Sequence, residues 1–207
     1  MQALSTGQLS VFSRGAIAAF STTAAAALTS SQLRALGSMQ LAGLTSAQIV
    51  ALSSDAFDAF ETSQFASLSV KQVAAIETDD IASLSTDKIA ALTSQQTASL
   101  TTAQVRALTD AQIAAIETGD LAAFRRTQWE ALTPDQVHAF STDQIASLKR
   151  AQIATLSTSA IAALATEQLG ALSAPQLQGL STVQVADRKS TRLNSSHSQQ
   201  SRMPSSA

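Results

Sequence analysis

With 207 residues, 45% of them hydrophobic, the chain suits one folded domain or one array of small repeats rather than a disordered polymer. The apolar share is mostly Ala and Leu with few aromatics and no Tyr, and the absence of Cys excludes disulfides, thiol catalysis and Cys-based zinc sites. The net charge of −2 divides into 9 Lys and Arg against 14 Asp and Glu up to Ala186, and 4 against 1 beyond it. The acidic body argues against a nucleic-acid partner, no run of about 18 apolar residues is present to span a membrane, and no export signal follows Met1.

From Leu4 onward the chain repeats every eight residues. Steps of eight reach Phe12, Phe20, Leu28 and so on to Leu180, and all 23 of these first places are Leu, Phe or Ile. The second place is Ser or Thr in 16 octads, the fifth is Gln in 16, the sixth is a large apolar residue in 21, and the seventh and eighth are chiefly Ala. Ser or Thr followed three residues later by Gln is the signature of a capping box, and the apolar residues on either side stand where a hydrophobic staple would place them. Each octad thus predicts one short helix over places three to eight, with a sharp bend at places one and two.

In chain order, the octad 20–27 is the weakest, because Ala24 and Ala25 replace the Gln and the large apolar residue, and fraying is expected there. Octads 44–51 ("LTSAQIVA"), 108–115 and 140–147 follow the consensus almost unaltered. Octad 76–83 carries Glu77, Asp79 and Asp80, which lack the Gly and ligand spacing of a calcium loop and favour the positive end of a short helix instead. Octad 124–131 ("FRRTQWEA") is the most distinctive. Arg125, Arg126 and Trp129 form its candidate interaction spot, although Trp129 falls on the inward sixth place, where core packing is the expected role.

In the following octad Pro134 stands at the first helical position, as Pro175 stands at the second of a later one, places where a missing amide hydrogen costs little. His138 sits at the seventh place, which also accepts Arg34, Asp58, Arg106, Glu130 and Gln178 and is expected to be solvated; no spacing nominates catalytic partners for it. Gly43 and Gly179 at the eighth place would let neighbouring helices approach closely.

One continuous helix fails on angle, since eight residues overshoot two turns by about 80° and the Leu places would spiral around the cylinder. A coiled coil fails for the same reason. A β-solenoid remains the alternative, but the first and sixth places would then point to opposite faces, and Ala and Gln are poor strand formers. The fold class expected is an all-α solenoid of very short capped helices, since helices this short hold only by stacking on neighbours.

The text L-[ST]-x-x-Q-[ILV]-A-A resembles the tandem octapeptide repeats of long bacterial proteins, over essentially residues 3 to 186. The resemblance implies a bacterial repeat array, often part of a longer protein, and carries no catalytic residues or cofactors. The function expected is a non-enzymatic module: a spacer, stalk or scaffold that offers a surface to a protein partner, with self-association at open solenoid ends and a cell-surface setting favoured over a cytoplasmic one. The alternative is a flat Ser/Thr array, including Thr86, Thr102 and Thr142, that binds glycan or ice. From Asp187 the period vanishes, and reverse translation of 187–207 resembles a short-read sequencing adapter; this segment is expected to be a non-native disordered tail, with the true C-terminus missing and the true start lying upstream.

Overall fold

A computed structural model describes residues 4–186, and the region from Asp187 onward, where the adapter resemblance falls, lies outside the described residues. Twenty-three helices follow one another without a strand among the described residues, from Thr6–Ser10 through Ala174–Leu177 to a last helix at 182–186. Each is four to six residues long and begins at the third place of its octad. The array is the all-α solenoid expected from the octad pattern.

The helix starts follow from local hydrogen bonds. In octad 44–51 the Thr45 hydroxyl accepts from the Gln48 amide at 3.3 Å while the Gln48 side-chain oxygen accepts from the Thr45 amide at 2.7 Å. Where the second place has no hydroxyl, as at Gly37, Arg125, Lys149 and Ala165, the Gln half of the arrangement persists alone. The chain then bends through extended backbone at places one and two, and the weak octad 20–27 still forms the helix Thr22–Ala26, with Ala25 fully buried.

Helices stack on the third helix further along the chain, as Pro134–His138 does on Thr158–Ala163. The link is the other end of the Gln side chain. Gln72 Nε2 donates to Leu41 O at 2.7 Å and Leu44 O at 2.8 Å, and Gln112 Nε2 to Ile81 O at 2.8 Å and Leu84 O at 2.7 Å. These offsets of 31 and 28 residues, together with the stacking of each helix on the third one along, put one coil between three and four octads.

First and sixth places fill one continuous interior, from Leu9 and Ile17 to Ile161 and Leu164. All but two of the fifth-place Gln residues lie buried beside it, Gln48 at 1% and Gln112 at 2% exposure, which is tolerable because both ends of each amide are bonded. The seventh place is exposed wherever it departs from Ala, yet Arg106 Nε donates to Ala131 O at 3.3 Å and His138 Nδ1 meets Ala163 O at 2.9 Å, so the longer side chains also clip onto the next coil.

Three of the octads without Gln join the neighbouring coil through another polar group at the fifth place. Lys88 takes the fifth place and its Nζ donates to Asp58 O at 3.0 Å, with the Asp58 carboxylate at 3.3 Å. Asp80 and Asp120, which can only accept, receive the hydroxyls of Ser54 and Ser94, each at 2.6 Å.

Candidate functional site

Coil spacing is set where the eighth place of one helix meets the third place of the helix three octads earlier. The third place is usually Ser or Thr and the eighth usually Ala, so two small residues face each other. Arg occupies the third place at 14, 126 and 150. Opposite Arg14 stands Gly43, and a Cβ there would lie 2.5 Å from Arg14 O; opposite Arg150 stands Gly179, whose Cβ would lie 2.8 Å from Arg150 Cγ. Opposite Arg126 stands Thr155 rather than Gly, so the helices Arg126–Ala131 and Arg150–Thr155 cannot close to the same distance.

The octad 124–131 adds a second wedge. Trp129 is the bulkiest sixth-place residue, 2% exposed, with its ring 5.5 Å from Phe124 and 6.1 Å from Phe140. Gln152 records the consequence. By the ladder rule its amide should reach Leu121 O and Phe124 O, but its Nε2 instead has Ala122 O at 3.4 Å, and the residue is partly exposed where the other Gln residues with a coil before them are buried. The result is a pocket of about 490 Å³ whose wall includes Phe124, Trp129, Ala151 and Ala154, with Arg126 and Gln152 as polar members.

The polar groups at this pocket are chiefly donors. The Trp129 indole N–H is buried without a hydrogen-bond partner and has no surface open to the pocket, so it is not one of them. Arg126 Nε donates to Glu130 at 2.7 Å, with the side chain 79% exposed. Gln152 Oε1 is already committed to the Lys149 amide at 2.8 Å, so its NH2 is the half with capacity left.

The structure therefore brings Arg126 and Trp129 to one pocket and leaves Arg125 exposed beside it. Sequence reasoning did not include Gln152, Ala151 and Thr155. The signal for Thr155 was available: it is the largest eighth-place residue with a coil before it, opposite an Arg that elsewhere faces Gly. Of the acidic octad, Glu77 and Asp79 are exposed while Asp80 is buried on Ser54, and no group of three or more His, Cys, Asp or Glu is gathered for a metal among the described residues. Second-place hydroxyls such as Thr101 and Ser141 are engaged in capping, while Thr86, Thr102 and Thr142 are exposed. No described helix is long and apolar enough to cross a membrane.

Comparison with known proteins agrees with the repeat reading. The family model described as ALTTAQ repeat matches residues 33–70, 73–110 and 113–150, more than half of the chain. The matched segments begin five octads apart, so the family unit is longer than the coil, which spans between three and four octads. No curated protein matches the chain.

Proposed function

Since the chain belongs to the ALTTAQ repeat family, we propose that it is a non-enzymatic structural module, a helical solenoid that sets the distance between what lies at its two ends and offers its flank to a protein partner. The observation that carries this reading is the Gln ladder. Each buried amide fixes its own helix start and joins that helix to the coil before it, from Gln32 on Leu4 O to Gln184 on Leu156 O. Coils joined this way add length in proportion to octad number. With helix layers about 8 to 10 Å apart, the described residues make a rod of about 60 Å.

The experiment is a distance measurement. Fluorophores are attached near residue 5 and residue 186, and energy transfer is compared between the parent and a chain in which the five octads 76–115 are duplicated. The insertion is expected to lengthen the rod by about 12 Å, for about one and a half added coils, and lower transfer accordingly. Unchanged transfer would mean that added octads do not extend the rod, and would refute the spacer role.

A further inference from the structure

We propose that the pocket between helices Arg126–Ala131 and Arg150–Thr155 is a binding site for an apolar carboxylate, with the aromatic or branched body of the ligand against Phe124, Trp129 and Ala151 and its carboxylate on Arg126 and the Gln152 amide. This goes beyond the spacer role and does not depend on it. Three independent features of the site lead to it.

The first is that the opening is built by residue identity. Both other third-place arginines face a Gly across the coil boundary, and this one faces Thr155, with the one Trp of the chain beside it. The second is donor excess. Gln152 has its oxygen spent and its NH2 on one 3.4 Å contact, and Arg126 donates to Glu130 through Nε, one of its three nitrogens. A ligand that supplies acceptors meets that demand, while a ligand cation does not.

The third is charge. Arg125, Arg126, Lys149 and Arg150 fall on two stacked octads, four of the nine Lys and Arg that precede Asp187, in a body that is otherwise acidic. Glu130 is the acidic residue of these octads and holds one nitrogen of Arg126. A planar guanidinium can still present two parallel N–H groups to a carboxylate. The volume of about 490 Å³ lies within the range of small-molecule pockets and is large enough for one aromatic side chain with its attached carboxylate.

Such a group can arrive as a free aromatic acid or as the C-terminal residue of a peptide, and the test separates the two. Trp129 is the only Trp and there is no Tyr, so intrinsic emission reports on the pocket wall. The whole chain is titrated with 3-phenylpropionate and its amide, and with N-acetyl-Gly-Phe as free acid and as amide. A saturable emission change is expected for at least one acid, with the matching amide binding at least about tenfold more weakly. Binding of the small acid alone identifies a metabolite-type ligand, and preferential binding of the peptide acid identifies a protein C-terminus.

Arg126→Gln is expected to weaken binding about tenfold, and Ala151→Leu, at an exposed position on the pocket wall, to abolish it, each with unchanged circular dichroism. No saturable change with either acid overturns the proposal, as does equal affinity for acid and amide. If both variants lose structure, the acid-against-amide comparison on the parent chain still decides.

Discussion

Gln112 uses both ends of its amide, and the two ends do different jobs. Its oxygen accepts from the Thr109 amide at 2.8 Å, and its nitrogen donates to Ile81 O and Leu84 O. A Glu would serve the first role as well as Gln does, since capping needs only an acceptor, but it cannot donate while ionised. Glu is absent from the fifth place in all 23 octads, a regularity that capping alone does not explain and that marks the hidden donor. Gln112→Ala is expected to cost about 1 to 3 kcal/mol for the bonds lost and the carbonyls left with less satisfaction. Gln112→Glu is expected to cost more at neutral pH, because an ionised carboxylate would be buried against two carbonyl oxygens. That environment raises the folded pKa of the introduced Glu above its unfolded value of about 4.3, so the extra penalty is absent below that pH and grows as pH rises through and beyond it. Thermal unfolding of the two variants across pH 3 to about 8 measures this; a pH-independent gap between them would show that the carbonyls are not the partners.

Lys88 gives the converse test. Its ammonium is buried at the fifth place and holds Asp58 O in place of the usual pair of carbonyls. Lys88→Gln restores the general residue, whose amide would reach Phe57 O and Phe60 O by the offsets of 31 and 28 seen elsewhere. The variant is expected to be at least as stable as the parent, because a buried charge with an exposed partner is replaced by a neutral group with two acceptors. A loss of more than about 1 kcal/mol in denaturant unfolding would show that the Asp58 pair contributes more than the ladder does.

At the scale of one octad, the helix is defined by its start. Thr133 caps Pro134–His138 by accepting from the Gln136 amide at 3.2 Å, and Pro134 stands where no intrahelical donor is needed. Thr133→Ala should cost about 1 kcal/mol. Gln144→Pro should cost about 3 kcal/mol or more, since it removes the amide that Ser141 caps at 3.1 Å and the ladder bonds to Ile113 O and Ile116 O. Chemical denaturation of the two variants checks both values, and equal tolerance would refute the octad helix.

These helix starts were legible because every octad writes its own cap and its own apolar pair. The coil was not, because a stacking offset that is not a whole number of octads leaves no trace in a strict period of eight. It is visible only where the repeat is broken and repaired: Arg14 with Gly43 and Arg150 with Gly179 share one spacing, and Ser54 with Asp80 and Ser94 with Asp120 share another. Of the candidate site, Arg126 and Trp129 could be named from their rarity, and the sixth place alone puts Trp129 inward, where the structure has it. The pocket could not be named, since it results from a mismatch between Arg126 and Thr155 that becomes meaningful only once the offset is known.

For the molecule as a whole, register is kept by octad phase rather than by unique pairing. A Gln at any fifth place needs a sixth-place carbonyl and a first-place carbonyl from the coil before it, as Gln112 needs Ile81 O and Leu84 O, and removing one full octad in between supplies equivalents of both. Deletion of 44–51 is the cleanest case. Gln64 then loses Leu33 O and Leu36 O and meets Ala25 O and Leu28 O instead, while Arg14 with Gly43 and Ser54 with Asp80 lie entirely on one side of the cut. Among the ion pairs spanning it, Arg34 with Glu61 is an exposed one at 3.9 Å, of little energetic weight. The shortened chain is expected to keep its helical content per residue and to unfold in one transition within a few degrees of the parent, by about the stability of one repeat. Deletion of 44–47 alone removes fewer residues but puts the two halves out of phase, so that the following Gln residues face the wrong backbone across the junction. That variant should unfold in two transitions, or at least about 10 °C lower, in calorimetry. If the half-octad deletion is tolerated as well as the full one, the coils are held by apolar stacking alone and the Gln ladder is a by-product of it.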